Sequence, residues 1–103
     1  MPLYATATPA TAPKTGTKAK VTVQWLPPYK VVVFNNDYNT FDEVIAILMA
    51  AVPGLSLPEA VGLTYEIHLT GAAVPYRGML DEAEQVAAKI RTIGVKVALE
   101  PDA

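Results

Sequence analysis

The chain has 103 residues and contains no cysteine, one histidine (His68) and one serine (Ser56). Without cysteine there is no disulfide, no thiolate ligand for a metal and no cysteine nucleophile. Ser56 stands three residues before Glu59, the spacing of a helix capping box, so we expect a helix cap rather than a nucleophile. The glycines are dispersed and match neither a dinucleotide-binding nor a P-loop pattern. The sequence therefore predicts a protein that is not an enzyme and that holds no metal or cofactor.

Long apolar runs and strong positive charge are also missing. The longest apolar run, around Ile45 to Val52, is far shorter than the about 20 residues that span a bilayer. Residues 1–28 carry a charge of +3, and residues 29–103 hold all ten acidic side chains and a charge of −5. Neither part has the basic surface that binds nucleic acid. We expect no membrane or nucleic-acid partner, and a monomer is the simplest expectation.

The N-terminal segment, residues 1–28, contains five prolines among many threonines and alanines. Such a composition buries too little apolar surface to offset its ordering entropy, so it predicts a flexible extension. Within it, "VTVQWL" (21–26) alternates like a strand and either lies along the domain or continues the extension. No apolar core of a secretory signal is present. We predict a cytoplasmic protein, or one of the plastid stroma if a transit peptide was removed.

From Tyr29 onward the sequence has regular patterns of strands and helices, and we assign residues 29–103 to one domain. "YKVVVF" is typical of a buried strand. Thr40 with Glu43, and Ser56 with Glu59, form capping boxes that begin two helices. Pro75 places the second strand at a sheet edge. The expected elements are a strand at 29–34, helices at 41–51 and 57–70, a strand at 72–77, a helix at 79–93 and a strand at 95–99. This β-α-α-β-α-β order predicts an α+β domain, with three helices packed on a three-stranded antiparallel sheet.

Two features of the domain allow more than one interpretation. Asn35, Asn36, Asp37 and Asn39 follow the first strand; such residues make a simple turn, or they form a polar rim around a binding site. His68 shares a helix face with Thr64, four residues earlier. It is either a partly buried histidine that bonds to nearby backbone or a functional group.

Three stretches, "YKVVVFNNDYNTFDEVIAIL", "YEIHLTG" and "VKVALE", together resemble the ClpS family over residues 29 to 100. Members of this family are adaptors that bring N-degron substrates to Clp AAA+ unfoldases. The details "NDYNTF" and "VPGLS" resemble the cyanobacterial and plastid branch. The resemblance implies an adaptor whose partners are substrate N-termini and an unfoldase of the ClpC or ClpA type.

The resemblance also implies a site for a free N-terminus that begins with Leu, Phe, Tyr or Trp. Asn35, Asp37 and His68 would bind the α-amino group, and His68 accepts a hydrogen bond only while one ring nitrogen is unprotonated. A narrow slot would exclude the β-branched side chains of Ile and Val. The remaining rim residues would be Asn36, Asn39 and Thr40, and the hydrophobic pocket would consist of Phe41, Val44, Thr64, Ile67 and Val95.

The sequence departs from the family pattern at several of these positions. Asn36 stands where an acidic residue is frequent, which leaves Asp37 as the main anion. Phe41 and Thr64 each stand where methionine is common. Phe41 would narrow the pocket, and Thr64 would either add space or add polarity.

By the same resemblance, Asp81 matches an acidic position that docks on the unfoldase, whereas Val86 replaces the basic partner of that position. The extension 1–28 would be gripped by the unfoldase channel, or it is merely a solubilising or cloning-related tail. The alternative function is a small non-enzymatic interaction domain that binds a folded partner.

Overall fold

The computed structural model describes residues 27–102. The predicted extension 1–28 therefore lies almost wholly outside the described residues, and so does "VTVQWL". The observed elements are β1 (Tyr29–Phe34), α1 (Phe41–Ala51), α2 (Leu57–Thr70), β2 (Ala72–Gly78), α3 (Leu80–Arg91) and β3 (Val97–Pro101). The predicted fold class and element order are confirmed.

The apolar strand β1 lies at the centre of the sheet, between β2 and β3, and pairs antiparallel with both. Val31 and Val33 are 0% and 1% exposed, because one face of β1 meets the helices and both of its edges are paired. In the β1–β2 pair, two residues, Val74 and Pro75, oppose Val32 alone. Proline lacks an N–H to donate, so it is tolerated at such a bulge on the edge strand.

Both predicted capping boxes are present. The Thr40 hydroxyl accepts the Glu43 backbone N–H, and the Glu43 carboxylate accepts the Thr40 N–H. Ser56 and Glu59 make the same reciprocal pair at the start of α2. These bonds satisfy N–H groups that have no partner within the helix, so the start of each helix is fixed by its local sequence.

The ends of α3 and β3 differ from the prediction. Helix α3 ends at Arg91 rather than Ile93, and a tightened turn follows in which the Gly94 N–H donates to the Arg91 carbonyl. Gly94 has a φ of 92°, a left-handed conformation that favours glycine. Strand β3 begins at Val97, two residues later than the alternating pattern suggested. This shift leaves Val95 in the connection between α3 and β3.

The helices cover the face of the sheet that carries Val31 and Val33. Helices α2 and α3 contact the strands directly, and α1 packs mainly against α2 and α3. Within residues 27–102, no helix is both long enough and apolar enough to cross a bilayer. The buried core is formed by Val31, Val33, Leu48, Val52, Ala60, Ile67, Ala73, Ala83, Val86, Ala87, Ile90, Val95 and Val97.

Candidate functional site

A cavity of about 280 Å³ lies where the end of β1, the start of α1, the second half of α2 and the α3–β3 connection meet. All eleven residues that the sequence suggested for a peptide site line this one cavity. Small-molecule sites occupy roughly 300–1,000 Å³, so the cavity is slightly smaller than that range and suits a single side chain. Its polar lining consists of Asn35, Asn36, Asp37, Asn39, Thr40 and His68, and its apolar lining includes Phe41, Val44, Ile67 and Val95, with Thr64 beside them.

The end of β1 and the end of α2 are joined by a backbone hydrogen bond. The Asn35 N–H donates to the Gly71 carbonyl at 2.9 Å. Gly71 ends α2 with a φ of 97°, and His68 lies three residues before it on the last turn of that helix. This bond therefore holds Asn35 beside the helix turn that carries His68.

The loop that follows β1 is held by the side chains of Asn36 and Asn39. The Asn36 Oδ1 accepts the backbone N–H groups of Tyr38 and Asn39, and its Nδ2 donates to the Asn39 Oδ1 at 2.8 Å. The Asn39 Nδ2 donates to the Ile93 carbonyl at 3.0 Å and to the Glu43 carboxylate at 3.2 Å. These two amides therefore fix the loop to the turn that follows α3.

The N–H and hydroxyl of Thr40, the third predicted rim residue, are likewise bonded in the α1 cap. The Thr40 N–H, and then the Asn39 amide, stabilise the ionised Glu43 carboxylate, so the pKa of Glu43 lies below its ordinary value. The turn interpretation of this cluster agrees with these hydrogen bonds, and the rim around a binding site stays a prediction. Asn36, Asn39 and Thr40 line the cavity, but their side-chain polar groups already have partners.

Asn35, Asp37 and His68 differ from those three residues. Their side chains are exposed, and none of them makes a side-chain hydrogen bond to another residue in the described range. Among the residues that line the cavity, Asp37 supplies the carboxylate, and there is no lysine or arginine. The mouth of the cavity therefore offers free polar groups and a negative charge, which suit a positively charged hydrogen-bond donor.

Phe41 is held between two other rings at the side of the cavity. Its ring centroid lies 5.0 Å from that of Tyr65 and 5.2 Å from that of His68, both in edge-to-face geometry. Such aromatic pairs are favourable beyond the area that they bury. Phe41 is thus a part of the cavity wall that contacts the imidazole of His68.

The inner wall is buried and mostly aliphatic. Val33, Ile67 and Val95 are buried there together with Thr64, which is 2% exposed. The Thr64 hydroxyl donates to the Ala60 carbonyl at 2.8 Å. The sequence did not indicate two lining residues, Val33 and Phe34, although their position directly before Asn35 was an available clue.

The proposed docking residue Asp81 does not line the cavity. It is exposed in the first turn of α3, and its carboxylate accepts the Glu82 N–H. Met79 and Leu80, directly before it, are 56% and 37% exposed. Val86 is buried in the core at 3% exposure, so its side chain cannot replace a basic docking residue on the surface. Within residues 27–102, no three histidine, aspartate or glutamate side chains are grouped as metal ligands would be.

Comparison with known proteins identifies the family. The family model described as ATP-dependent Clp protease adaptor protein ClpS matches residues 25–97. The chain belongs to the ClpS family. The prediction from the three sequence stretches is therefore confirmed, whereas the boundary at residue 28 and the roles of the individual site residues stay predictions.

Three relatives of this chain come from cyanobacteria and chloroplasts, as the sequence details suggested. The ClpS adapter protein of Thermosynechococcus vestitus is 36% identical over 82% of this chain and 92% of its own length. The corresponding protein of Synechococcus elongatus is 32% identical over 87% of this chain and 90% of its own. A chloroplastic ClpS adapter protein of Arabidopsis thaliana is 34% identical over 74% of this chain and 48% of its own.

A solved ClpS structure has the same fold. It is that of Agrobacterium tumefaciens ClpS2 bound to L-phenylalaninamide, with a TM-score of 0.68 and 26% identity. The similarity covers 74% of this chain and 98% of that one.

Proposed function

We propose that this ClpS-family chain is a non-enzymatic adaptor that binds the free α-amino group and the bulky hydrophobic first side chain of N-degron substrates. It delivers these substrates to a ClpC- or ClpA-type unfoldase. The observation that carries the proposal is the cavity itself. Three exposed side chains that make no side-chain hydrogen bond within residues 27–102 line it together with a buried, mostly aliphatic wall.

The chemistry of a free N-terminus matches this arrangement. The terminal ammonium has three N–H donors. The side-chain Oδ1 of Asn35, the Asp37 carboxylate and a neutral His68 ring can accept them. The first side chain then enters the cavity and leaves water. L-phenylalaninamide, the molecule bound to the A. tumefaciens relative, carries a free α-amino group beside an aromatic side chain. Its binding to that relative supports the same class of ligand here.

Delivery would use a different surface. Met79, Leu80 and Asp81 place two exposed apolar side chains and a carboxylate at the start of α3, outside the cavity lining. An adaptor needs such a separation, because substrate and unfoldase must bind at the same time. The extension 1–28, with its prolines and small residues, would be the segment that the unfoldase channel grips. Relatives from cyanobacteria and chloroplasts suggest a bacterial cytoplasm or a plastid stroma as the compartment.

Binding is tested by titrating labelled peptides that differ only in the first residue: Leu, Phe, Tyr, Trp, Ile or Ala. At least one of the first four should bind, and Ile and Ala should not. His68→Ala should weaken binding by about 1–3 kcal/mol, as expected for a charge-assisted hydrogen bond. Leu69→Ala is the matched control, because Leu69 is exposed on the same helix and does not line the cavity. Equal affinities of wild type and His68→Ala would show that His68 does not bind the α-amino group of the peptide.

Delivery is tested with a reconstituted unfoldase and protease that degrade a substrate with a bulky first residue. Asp81→Asn should slow delivery and leave peptide affinity unchanged, since Asp81 is not part of the cavity lining. Glu66→Gln removes the same charge from an exposed position on α2 and should behave like wild type. If both variants deliver normally, α3 does not dock through Asp81.

A further inference from the structure

Helix α3 begins without the side-chain cap that begins α1 and α2. Thr40 and Ser56 each form a capping box there, whereas Met79, at the corresponding position of α3, makes no side-chain cap bond. The first turn of α3 is held instead by a side chain of β2. This turn carries the docking surface that delivery would use: Met79, Leu80 and Asp81.

Tyr76 links the edge strand β2 to the first turn of α3. It pairs with Val31, whose side chain faces the helices, so the half-buried Tyr76 ring lies on the helix-covered face of the sheet. The Tyr76 hydroxyl donates to the Glu82 carboxylate. That bond raises the pKa of the Tyr76 hydroxyl to about 12, so the phenol keeps its proton at neutral pH. Tyr76 is therefore the donor of this link, and Glu82 is its acceptor.

Gly78 leaves the space in which the Tyr76 ring lies. A β-carbon at this position would be 2.8 Å from Cζ and 3.0 Å from Cε2 of that ring, closer than side chains normally pack. Gly78 lacks the positive φ of Gly94, so a glycine is needed here for space rather than for backbone conformation. The ring thus spans the chain from Gly78 to Glu82, and the docking surface lies between these two residues.

We propose that Tyr76, lying over Gly78, is the positioning residue of the docking surface and acts through Asp81. The Asp81 carboxylate accepts the Glu82 N–H, and the Glu82 carboxylate accepts the Tyr76 hydroxyl. One series of bonds therefore runs from β2 to the docking carboxylate. Without the phenol hydroxyl, the uncapped first turn loses this tie to the sheet, and the unfoldase binds only the fraction of molecules in which Asp81 is correctly placed. This inference rests on the proposed delivery and names the residue that prepares its docking surface.

The test measures degradation of a substrate with a bulky first residue by the reconstituted unfoldase and protease, as a function of adaptor concentration. Tyr76→Phe removes the hydroxyl and keeps the ring. We expect this variant to raise the half-maximal adaptor concentration about 2- to 10-fold, as for the loss of one hydrogen bond, and to leave the maximal rate unchanged. Gly78→Ala should have a similar effect, because its β-carbon displaces the ring from Glu82. Tyr29→Phe is the matched control, since the Tyr29 hydroxyl lies on the same face of the sheet and makes no hydrogen bond within residues 27–102.

A double variant separates positioning from a general loss of stability. Because Tyr76 acts through Asp81, Tyr76→Phe combined with Asp81→Asn should deliver no worse than Asp81→Asn alone. Peptide affinity should stay the same in all of these variants, since none of the changed residues lines the cavity. Thermal unfolding checks that each variant is folded at the temperature of the assay.

The other outcomes overturn the inference in distinct ways. Wild-type delivery by Tyr76→Phe beside slow delivery by Asp81→Asn would show that the bond to Glu82 does not prepare the docking surface. A double variant in which the two single effects multiply would show that Tyr76 acts independently of Asp81. Wild-type delivery by Gly78→Ala would overturn the part assigned to Gly78. In these cases the proposed function stands, whereas wild-type delivery by Asp81→Asn would overturn both this inference and docking through Asp81.

Discussion

Replacing Asn39 by alanine should destabilise the domain although Asn39 is only half-buried. Its side chain donates to Ile93 and to Glu43 and accepts from Asn36, and the Ile93 bond joins residues 54 positions apart. Each hydrogen bond contributes about 0.5–1.5 kcal/mol net, and partial exposure reduces the sum, so we expect a loss of roughly 1–3 kcal/mol in the free energy of unfolding. For a domain of this size, each kcal/mol lowers Tm by about 4–8 °C, so the expected decrease is roughly 4–24 °C.

Asn35→Ala is the matched control, because it removes the same side chain from the same loop. The Asn35 amide makes no side-chain hydrogen bond within residues 27–102, so its removal should leave Tm unchanged and weaken only peptide binding. The assay is thermal unfolding of wild type and both variants, monitored by circular dichroism. If Asn39→Ala unfolds at the temperature of Asn35→Ala, the loop network does not stabilise the fold and our distinction between structural and free amides is wrong.

Two further predictions concern the helix that carries His68. Gly71 has a φ of 97° at the end of α2, so Gly71→Ala should lower the free energy of unfolding by about 1–2 kcal/mol. Gly62 lies inside the same helix with open space around its Cα, so Gly62→Ala should raise the free energy of unfolding by about 0.5–1 kcal/mol. Urea unfolding measures both, and effects of the same sign would contradict this reasoning. The Ser56 N–H, and then the Ser56 hydroxyl, lower the pKa of Glu59 below its ordinary value of 4.5. Stability from this carboxylate is therefore present above that value and is lost as the pH falls through the lowered pKa. Glu59→Gln should flatten the fall in Tm on acidification, and an unchanged pH profile would rule the contribution out.

Local sequence signals account for most of the fold. The two capping boxes determine where α1 and α2 begin, and Gly71 marks where α2 ends, because each involves residues at most four apart. The end of α3 could not be read in the same way. The apolar spacing continues to Ile93, but the chain tightens after Arg91 to reach the left-handed Gly94. Periodicity indicates which face is buried and does not show where the last helical hydrogen bond lies.

The membership of the candidate site followed from the family resemblance, whereas its internal hydrogen bonds did not. Nothing in the sequence indicates that Asn39 bonds to Ile93, since that contact depends on the tertiary fold. The direction of the Thr64 hydroxyl was equally open, because threonine can bond back to its helix or to a ligand. The structure also gives a reason for Asn36, at a position where the resemblance led us to expect an acidic residue. Its amide both accepts backbone N–H groups and donates to Asn39, and an ionised aspartate could do only the first.

The account depends most directly on the charge of the peptide's first nitrogen. Two peptides of one sequence beginning with Phe, one with a free N-terminus and one acetylated, should be titrated against the full chain by fluorescence anisotropy. We predict that the free peptide binds and that acetylation abolishes binding. The acetylated nitrogen is an uncharged amide with a single N–H, so it cannot replace the ammonium as a donor to Asn35, Asp37 and His68. Equal affinity for the two peptides would contradict the claim that this cavity recognises a free N-terminus.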